Sequence, residues 1–301
     1  MFKKVLALLV VHVMILGIFN LSAFAVSSVA LTDDESLLVW YDFDQVNGIQ
    51  VPDKSNNGFN GTLYGGAAVV DGYLNLNGSG AYLQMPQGIS PRLTSYTVSM
   101  FVKPRIQSAN TFLFTLGNSD STGYIFFSTT NAGNNVKFGA TLTNWQGEGG
   151  FSVPSPFSTN DDWRHFAFTY DYNTKTVICY VDGVEFHRQG NVTVAPVNLG
   201  NTYQNYIGRS QYSPDAYYKG MVDDFRIYSR ALSANEVAEL AVDLNYVKDS
   251  LTLGDLSQVR SDITLPVTGP FNTTITWQSS NEEYLTSDGI VKRPPNGTGN
   301  V

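Results

Sequence analysis

Between Leu37 and Tyr228 the apolar residues arrive in short runs and never at sustained helical spacing. The runs include "LLVWYDF", "YTVSMFV", "TFLFTLG", "YIFFST", "VKFGATL", "WRHFAFTY", "TVICYVDG" and "DDFRIY". Each is rich in Val, Ile, Phe, Tyr and Thr and is bounded by Gly, Asn, Asp and Ser clusters, which is the pattern of strands and turns. A long series of strands without alternating helices predicts an all-β, antiparallel two-sheet jelly-roll sandwich. One helix is predicted after it. Ser233 and Glu236 stand at capping-box spacing, and Val237, Leu240, Ala241 and Leu244 share a face that can close the sandwich edge. Beyond Asn245, further strand-like runs are punctuated by Pro266, Pro270, Pro294 and Pro295, and Ile275 and Trp277 alternate with threonines.

The amino terminus changes the picture of where this chain works. Lys3 and Lys4 precede an apolar run from Val5 to Phe19, followed by Ala23 and Ala25 at the spacing of a signal-peptidase site. Residues 1–25 are read as a cleaved signal peptide, which makes the protein secreted and leaves no membrane span after cleavage. Losing Lys3 and Lys4 takes the formal charge from -8 to -10, a balance that argues against nucleic acid or an anionic membrane as partner. The acid is mostly turn-forming: 19 Asp against 7 Glu. The single Cys179, set in "TVICYV", has no partner for an internal disulfide and reads as a core residue.

Three segments together resemble the laminin G-like, concanavalin A-like modules of secreted bacterial proteins. They are "LLVWYDFDQVNGIQVPDKSNNGFNGTL", "DDWRHFAFTYDYNTKTVICYVDGVEF" with its Tyr-Val-Asp-Gly turn, and "GMVDDFRIYSRALSANEV" with "YIGRSQY" just upstream. Phe101 in "VSMFVKP" stands where such modules often carry Trp, so an aromatic is kept. The tail from Tyr246, through "ITWQSSNEEYLTSDGIVKRP", resembles the atrophied bacterial immunoglobulin-like module that joins domains in polysaccharide hydrolases. Only about half of such a sandwich is present, and the chain stops just past a turn signal at "NGTGNV", as expected of a fragment of a longer protein. The expected organisation is a signal peptide at 1–25, a laminin G-like domain at 31–245 and a partial immunoglobulin-like domain at 246–301. The resemblance is to accessory regions of arabinan-degrading glycoside hydrolases, which implies a catalytic domain beyond Val301.

Two chemistries are at stake in the acidic residues. If the first and last strands lie side by side, Asp42, Asp44 and Asp53 approach Asp223 and Asp224, and five converging carboxylates repel unless a cation meets them. Calcium, with roughly six to eight oxygen ligands, resolves this, and the resemblance implies a structural calcium at the same seam; Asp44, Asp53 and Asp224 are the expected ligands. The alternative is that one aspartate pairs with Arg226 or Arg230 and the others are solvated turn residues. Catalysis requires two carboxylates facing one another across a cleft, yet none of the seven Glu shares a strand with an acid two or four positions away, so no catalytic residue is assigned. The mature chain has only His165 and His187 for a zinc site or a triad, and no motif points to one.

Aromatic residues in loop-like sequence are the better functional signal. "LTNWQGEGGF" and "GRSQYSPDAYYKG" place Trp145, Tyr212, Tyr217 and Tyr218 among small polar residues, with Arg209 and Gln211 to supply hydrogen bonds. Flat apolar faces with polar neighbours suit sugar rings. The sequence therefore predicts a calcium-stabilised, non-catalytic module that binds or positions a polysaccharide or glycan for a larger extracellular glycoside hydrolase. The alternative reading is a surface adhesion protein that binds glycan or protein.

Overall fold

The structure is a computed structural model that describes residues 12–14, 31–105, 110–119, 121–157, 163–242, 253, 261–267, 274–279, 282–283 and 285–292. The chain divides into two compact units, one of residues 27–241 and the other of residues 1–26 with 242–301. The larger unit is the expected sandwich of two mainly antiparallel sheets. One sheet runs in the order Gly149–Pro154, Asn135–Thr141, Tyr124–Asn131, Phe114–Gly117, Asn205–Ile207, Tyr82–Met85, Gly61–Tyr64 and Gln50–Val51. The other runs Val184–Gln189, Thr176–Val181, Arg164–Asp171, Tyr96–Pro104, Lys219–Tyr228, Tyr73–Asn77 and Ala68–Val70, and Leu37–Tyr41 pairs with the far half of Lys219–Tyr228.

Aromatic side chains from the inner faces of both sheets fill the space between them. Phe168 meets Tyr96 at 5.7 Å, Phe127 at 5.4 Å, Phe138 at 5.6 Å and Phe114 at 6.2 Å between ring centroids, while Phe127 stacks on Phe166 at 4.2 Å. Cys179 lies fully buried in the same cluster, as expected. The strand Tyr124–Asn131 is buried on both faces: on the outside of its sheet Phe112 stacks on Phe126, Lys137 lies over the Phe126 ring, and Glu148 accepts from the Tyr124 hydroxyl.

Local chemistry sets the turns. Asp182 and Gly183 both have positive φ, 49° and 76°, the two-residue type I′ hairpin that an Asp-Gly pair favours. A Cβ on Gly183 would stand 2.8 Å from the Cα of Ala238, so glycine here serves both the turn and the docking of the helix. That helix, Ala234–Leu240, carries the expected capping box: the Ser233 hydroxyl accepts from the Glu236 N–H at 3.3 Å, and the Ser233 N–H donates to the Glu236 carboxylate at 2.7 Å. Val237 and Leu240 bury against Leu37, Tyr180, Tyr228 and Leu232.

Arg230 binds this corner together, donating to Glu236 at 2.6 Å and 3.0 Å and also to Asp34. The guanidinium holds Glu236 down at about 2. A carboxylate depressed on folding stabilises the native state above its unfolded pKa near 4.5, and that contribution is lost as pH falls through the folded value. The sandwich should therefore lose melting temperature between pH 5 and pH 2, with a smaller loss in Arg230→Gln than in wild type; thermal melts across that range check this.

In the smaller unit Thr274–Thr276 forms a strand with Ile275 buried, close to where the sequence predicts one, and it pairs antiparallel with His12–Met14. The remainder of the expected signal segment, Leu244 of the helix face, and most of residues 246–260 lie outside the described residues.

Candidate functional site

Strand parity places a set of tyrosines on the outside of the first sheet. Leu63, Leu83 and Ile207 point into the core, so their neighbours Tyr64, Tyr82 and Tyr206 point outward. Tyr64 is directly opposite Tyr82, and Gln84 is opposite both Thr62 and Tyr206, so the three rings fall in adjacent rows. The Tyr64 and Tyr82 rings stack at 5.2 Å and 15°; Tyr206 meets Tyr82 edge-on at 5.3 Å; Tyr217 lies tilted at 6.2 Å. The Arg209 guanidinium sits 4.8 Å from the ring centroids of both Tyr82 and Tyr206, and 6.0 Å from that of Tyr217. Tyr64 remains 44% exposed, with one face on Tyr82 and the other toward solvent.

The loop that carries Arg209 and Tyr217 is fixed at its base. Gly208, at φ 90°, turns the chain out of the strand where a Cβ would stand 2.8 Å from Leu76 Cδ1. Its N–H donates to the Leu113 carbonyl at 2.8 Å and its carbonyl accepts from the Tyr218 N–H at 3.0 Å. Tyr218 then enters the core fully buried, with its hydroxyl 2.7 Å from that of Thr129. Tyr218 is thus the anchor of the loop and presents no ring face to a ligand, a correction to the sequence reading. Gln211 is also buried, accepting from the Thr115 hydroxyl at 2.9 Å.

The remaining aromatic candidates are placed apart. Tyr212 is 46% exposed on the loop. Trp145 is 71% exposed on a short 3-10 turn capped by Asn144, whose side chain accepts from the Gln146 N–H at 3.1 Å. It belongs to the connection between the two strands at one end of the sheet, whereas Tyr206 lies on the fifth strand. Beside that connection, a depression of about 190 Å³ is lined by Lys137, Phe138, Glu148, Gly149, Gly150 and Phe151. Its carboxylate is engaged: Glu148 receives Lys137 at 3.0 Å and the Tyr124 hydroxyl at 2.7 Å. Burial, with Glu148 beside it, pushes the Tyr124 phenol well up.

At the seam, the first and last strands are neighbours as expected, with Tyr41 opposite Phe225 and Trp40 opposite Arg226. Against its other neighbour, Tyr96–Pro104, the last strand carries one residue more between Asp223 and Arg226, and Asp224 takes φ 48° at this bulge. Its carboxylate accepts the Trp40 indole N–H at 2.6 Å and meets the Arg226 guanidinium at 2.7 Å, which also lies 4.7 Å over the Trp40 ring. Asp53 organises the Asn/Gly-rich loop by accepting backbone N–H groups of Trp40 at 3.0 Å, Ser55 at 3.0 Å and Phe59 at 2.9 Å. Asp42 pairs with Lys54 at 3.1 Å, and Asp44 is exposed. A dication here would have to share or displace the three N–H donors on Asp53 and the guanidinium on Asp224, while Asp44 is free of such partners only in being exposed to solvent. Among the described residues no three His, Cys, Asp or Glu side chains come together.

His165 is fully buried, 2.8 Å from the Ser99 hydroxyl through Nε2, while its Nδ1 meets no hydrogen-bond partner. Burial, with Arg226 nearby, pushes the imidazole down to about 3, which leaves a neutral ring without the orienting acid of a triad.

Residues 77–238 match the model described as "Concanavalin A-like lectin/glucanases superfamily", and residues 243–301 match "Atrophied bacterial Ig domain". An alpha-L-arabinofuranosidase of Bifidobacterium longum subsp. longum is 26% identical over 292 residues, covering 89% of this chain and 27% of that protein. The chain thus spans about a quarter of that relative's length. Domain 4 of AbnA, a GH43 extracellular arabinanase from Geobacillus stearothermophilus solved with arabinotriose, is 25% identical with a TM-score of 0.53, covering 69% of this chain and 98% of that domain. Trypanosoma rangeli sialidase in complex with sialic acid is 18% identical with a TM-score of 0.53, covering 68% of this chain and 32% of that one, a likeness of fold.

Proposed function

The chain belongs to the concanavalin A-like lectin/glucanases superfamily, and on that premise we propose that its sandwich is a non-catalytic glycan-binding module of a secreted glycoside hydrolase of the arabinan or hemicellulose type. The observation that carries this reading is the outward tyrosine stack of Tyr64, Tyr82 and Tyr206 with Arg209 at its side. Of these rings Tyr206 is itself buried and supports the others, while Tyr64 stays half-exposed, and a half-exposed ring face beside polar groups is what a sugar ring stacks on. Two relatives support the substrate class: an arabinanase domain solved with arabinotriose and a longer arabinofuranosidase. A shallow surface that buries only part of each sugar gives modest affinity, on the order of micromolar to millimolar.

The test is a calorimetric titration of the whole chain with oligosaccharides of arabinan, arabinoxylan, galactan and cellulose, with reducing ends assayed in parallel. Binding of an arabinose-containing oligomer without release of sugar is expected. Sugar release by the pure chain would overturn the non-catalytic reading. Failure to bind any glycan, with a protein captured tightly instead, would favour an adhesion role.

A further inference from the structure

We propose that Arg209 makes the tyrosine stack a site for glycans that carry an occasional carboxylate, of the uronic acid class. This deepens, and rests on, the glycan-binding reading. Arg164, Arg188, Arg226 and Arg230 each lie against a carboxylate of this acidic chain. Among the described residues Arg209 does not: its partners there are the rings of Tyr82, Tyr206 and Tyr217. Stacking engages the face of a guanidinium and leaves the N–H donors around its edge, which lie in the guanidinium plane, for another acceptor. A planar two-oxygen acceptor matches that edge, and the match is bidentate.

The surroundings narrow the class. The arginine is positioned by rings on three different segments, Tyr82, Tyr206 and Tyr217, and the base of its loop is held by Gly208 and the buried Tyr218, so little order remains to be acquired on binding. It stands beside the half-exposed Tyr64–Tyr82 stack, so one residue of a sugar chain can lie on the rings while the carboxylate of that residue or the next reaches the guanidinium. The formal charge of -8 disfavours a densely charged polyanion, whereas a single uronate on a mostly neutral chain meets one cation without bringing many negative charges to the surface.

The experiment compares, on the whole chain, a xylo-oligosaccharide bearing one glucuronic acid, the same oligosaccharide after reduction of its carboxyl to the alcohol, and arabinotriose. The acid form should bind about tenfold more tightly than its reduced counterpart, the preference should shrink in 0.5 M salt, and Arg209→Gln should abolish it. Arg209→Lys, which keeps the charge but not the fork, should retain only part. Equal affinity for the acid and reduced forms on the native chain overturns the inference whether or not the variants fold. If arabinotriose or the reduced sugar binds, the glycan-binding reading survives that failure; if none of the three binds, the glycan-binding reading falls with it.

Discussion

Phe168→Ala is expected to lower the unfolding free energy of the sandwich by about 3–5 kcal/mol, the usual cost of emptying a large aromatic from a packed core. Phe168 is where the two sheets meet, with ring contacts to Tyr96 on its own sheet and to Phe114, Phe127 and Phe138 on the facing one. Truncation removes dispersion contacts on every side at once, and two paired sheets cannot close over the void without breaking register. Urea denaturation followed by near-ultraviolet circular dichroism measures this, with the midpoint falling and the slope unchanged. A loss below about 1 kcal/mol would mean that the sheets repack freely and that the core described here is not tightly packed.

The second large effect is expected at the seam. Arg226 is nearly buried, with 12% of its side chain exposed, and its guanidinium lies between the Asp224 carboxylate and the Trp40 ring. Arg226→Leu takes the guanidinium away from a mostly buried carboxylate, and breaking a buried pair from one side costs about 3 kcal/mol. Adding Asp224→Asn should recover much of the loss, because asparagine tolerates the left-handed backbone at φ 48° and carries no charge. A chelator should leave the melting temperature of the wild-type chain unchanged, since cationic side chains and backbone N–H groups already meet the carboxylates. The opposite pattern, a lower melting temperature in chelator with Arg226→Leu close to neutral, would restore calcium to this seam.

The outcome at Asp224 shows what the sequence made legible. The adjacency of the first and last strands followed from the strand count and sandwich topology, and it proved correct. Which cation meets the carboxylate did not follow, because that depends on a bulge one residue long: the extra residue at Asp224 and the register of Arg226 opposite Trp40. The helix and its capping box were legible because both signals are local, contained between Ser233 and Leu240. The same holds for the Asp182–Gly183 turn.

The proposed binding surface was only half legible, for a reason of parity. Tyr217 and Tyr218 look equivalent in "AYYKG", yet the chain enters a strand at Lys219, and Tyr218 faces the core. Tyr64, Tyr82 and Tyr206 were hidden inside strand-like runs. The signal was there in "TLY", "AYLQM" and "NYIG", where an aromatic occupies the outward position next to an inward Leu or Ile. What no reading of one strand could supply is that these outward rings come from strands paired side by side, which only the sheet order brings about.

The most direct test of the central claim is the affinity of the whole chain for an arabino-oligosaccharide in Tyr82→Ala compared with Trp145→Ala. Tyr82 is the ring on which Tyr64, Tyr206, Tyr217 and Arg209 converge, whereas Trp145 stands alone at the far connection. Losing a stacking ring costs about 1–3 kcal/mol, so Tyr82→Ala should weaken binding tenfold or more while Trp145→Ala leaves it within about twofold. Full affinity in a folded Tyr82→Ala chain, with binding lost in Trp145→Ala, would contradict the account and move the site to the exposed turn at Trp145.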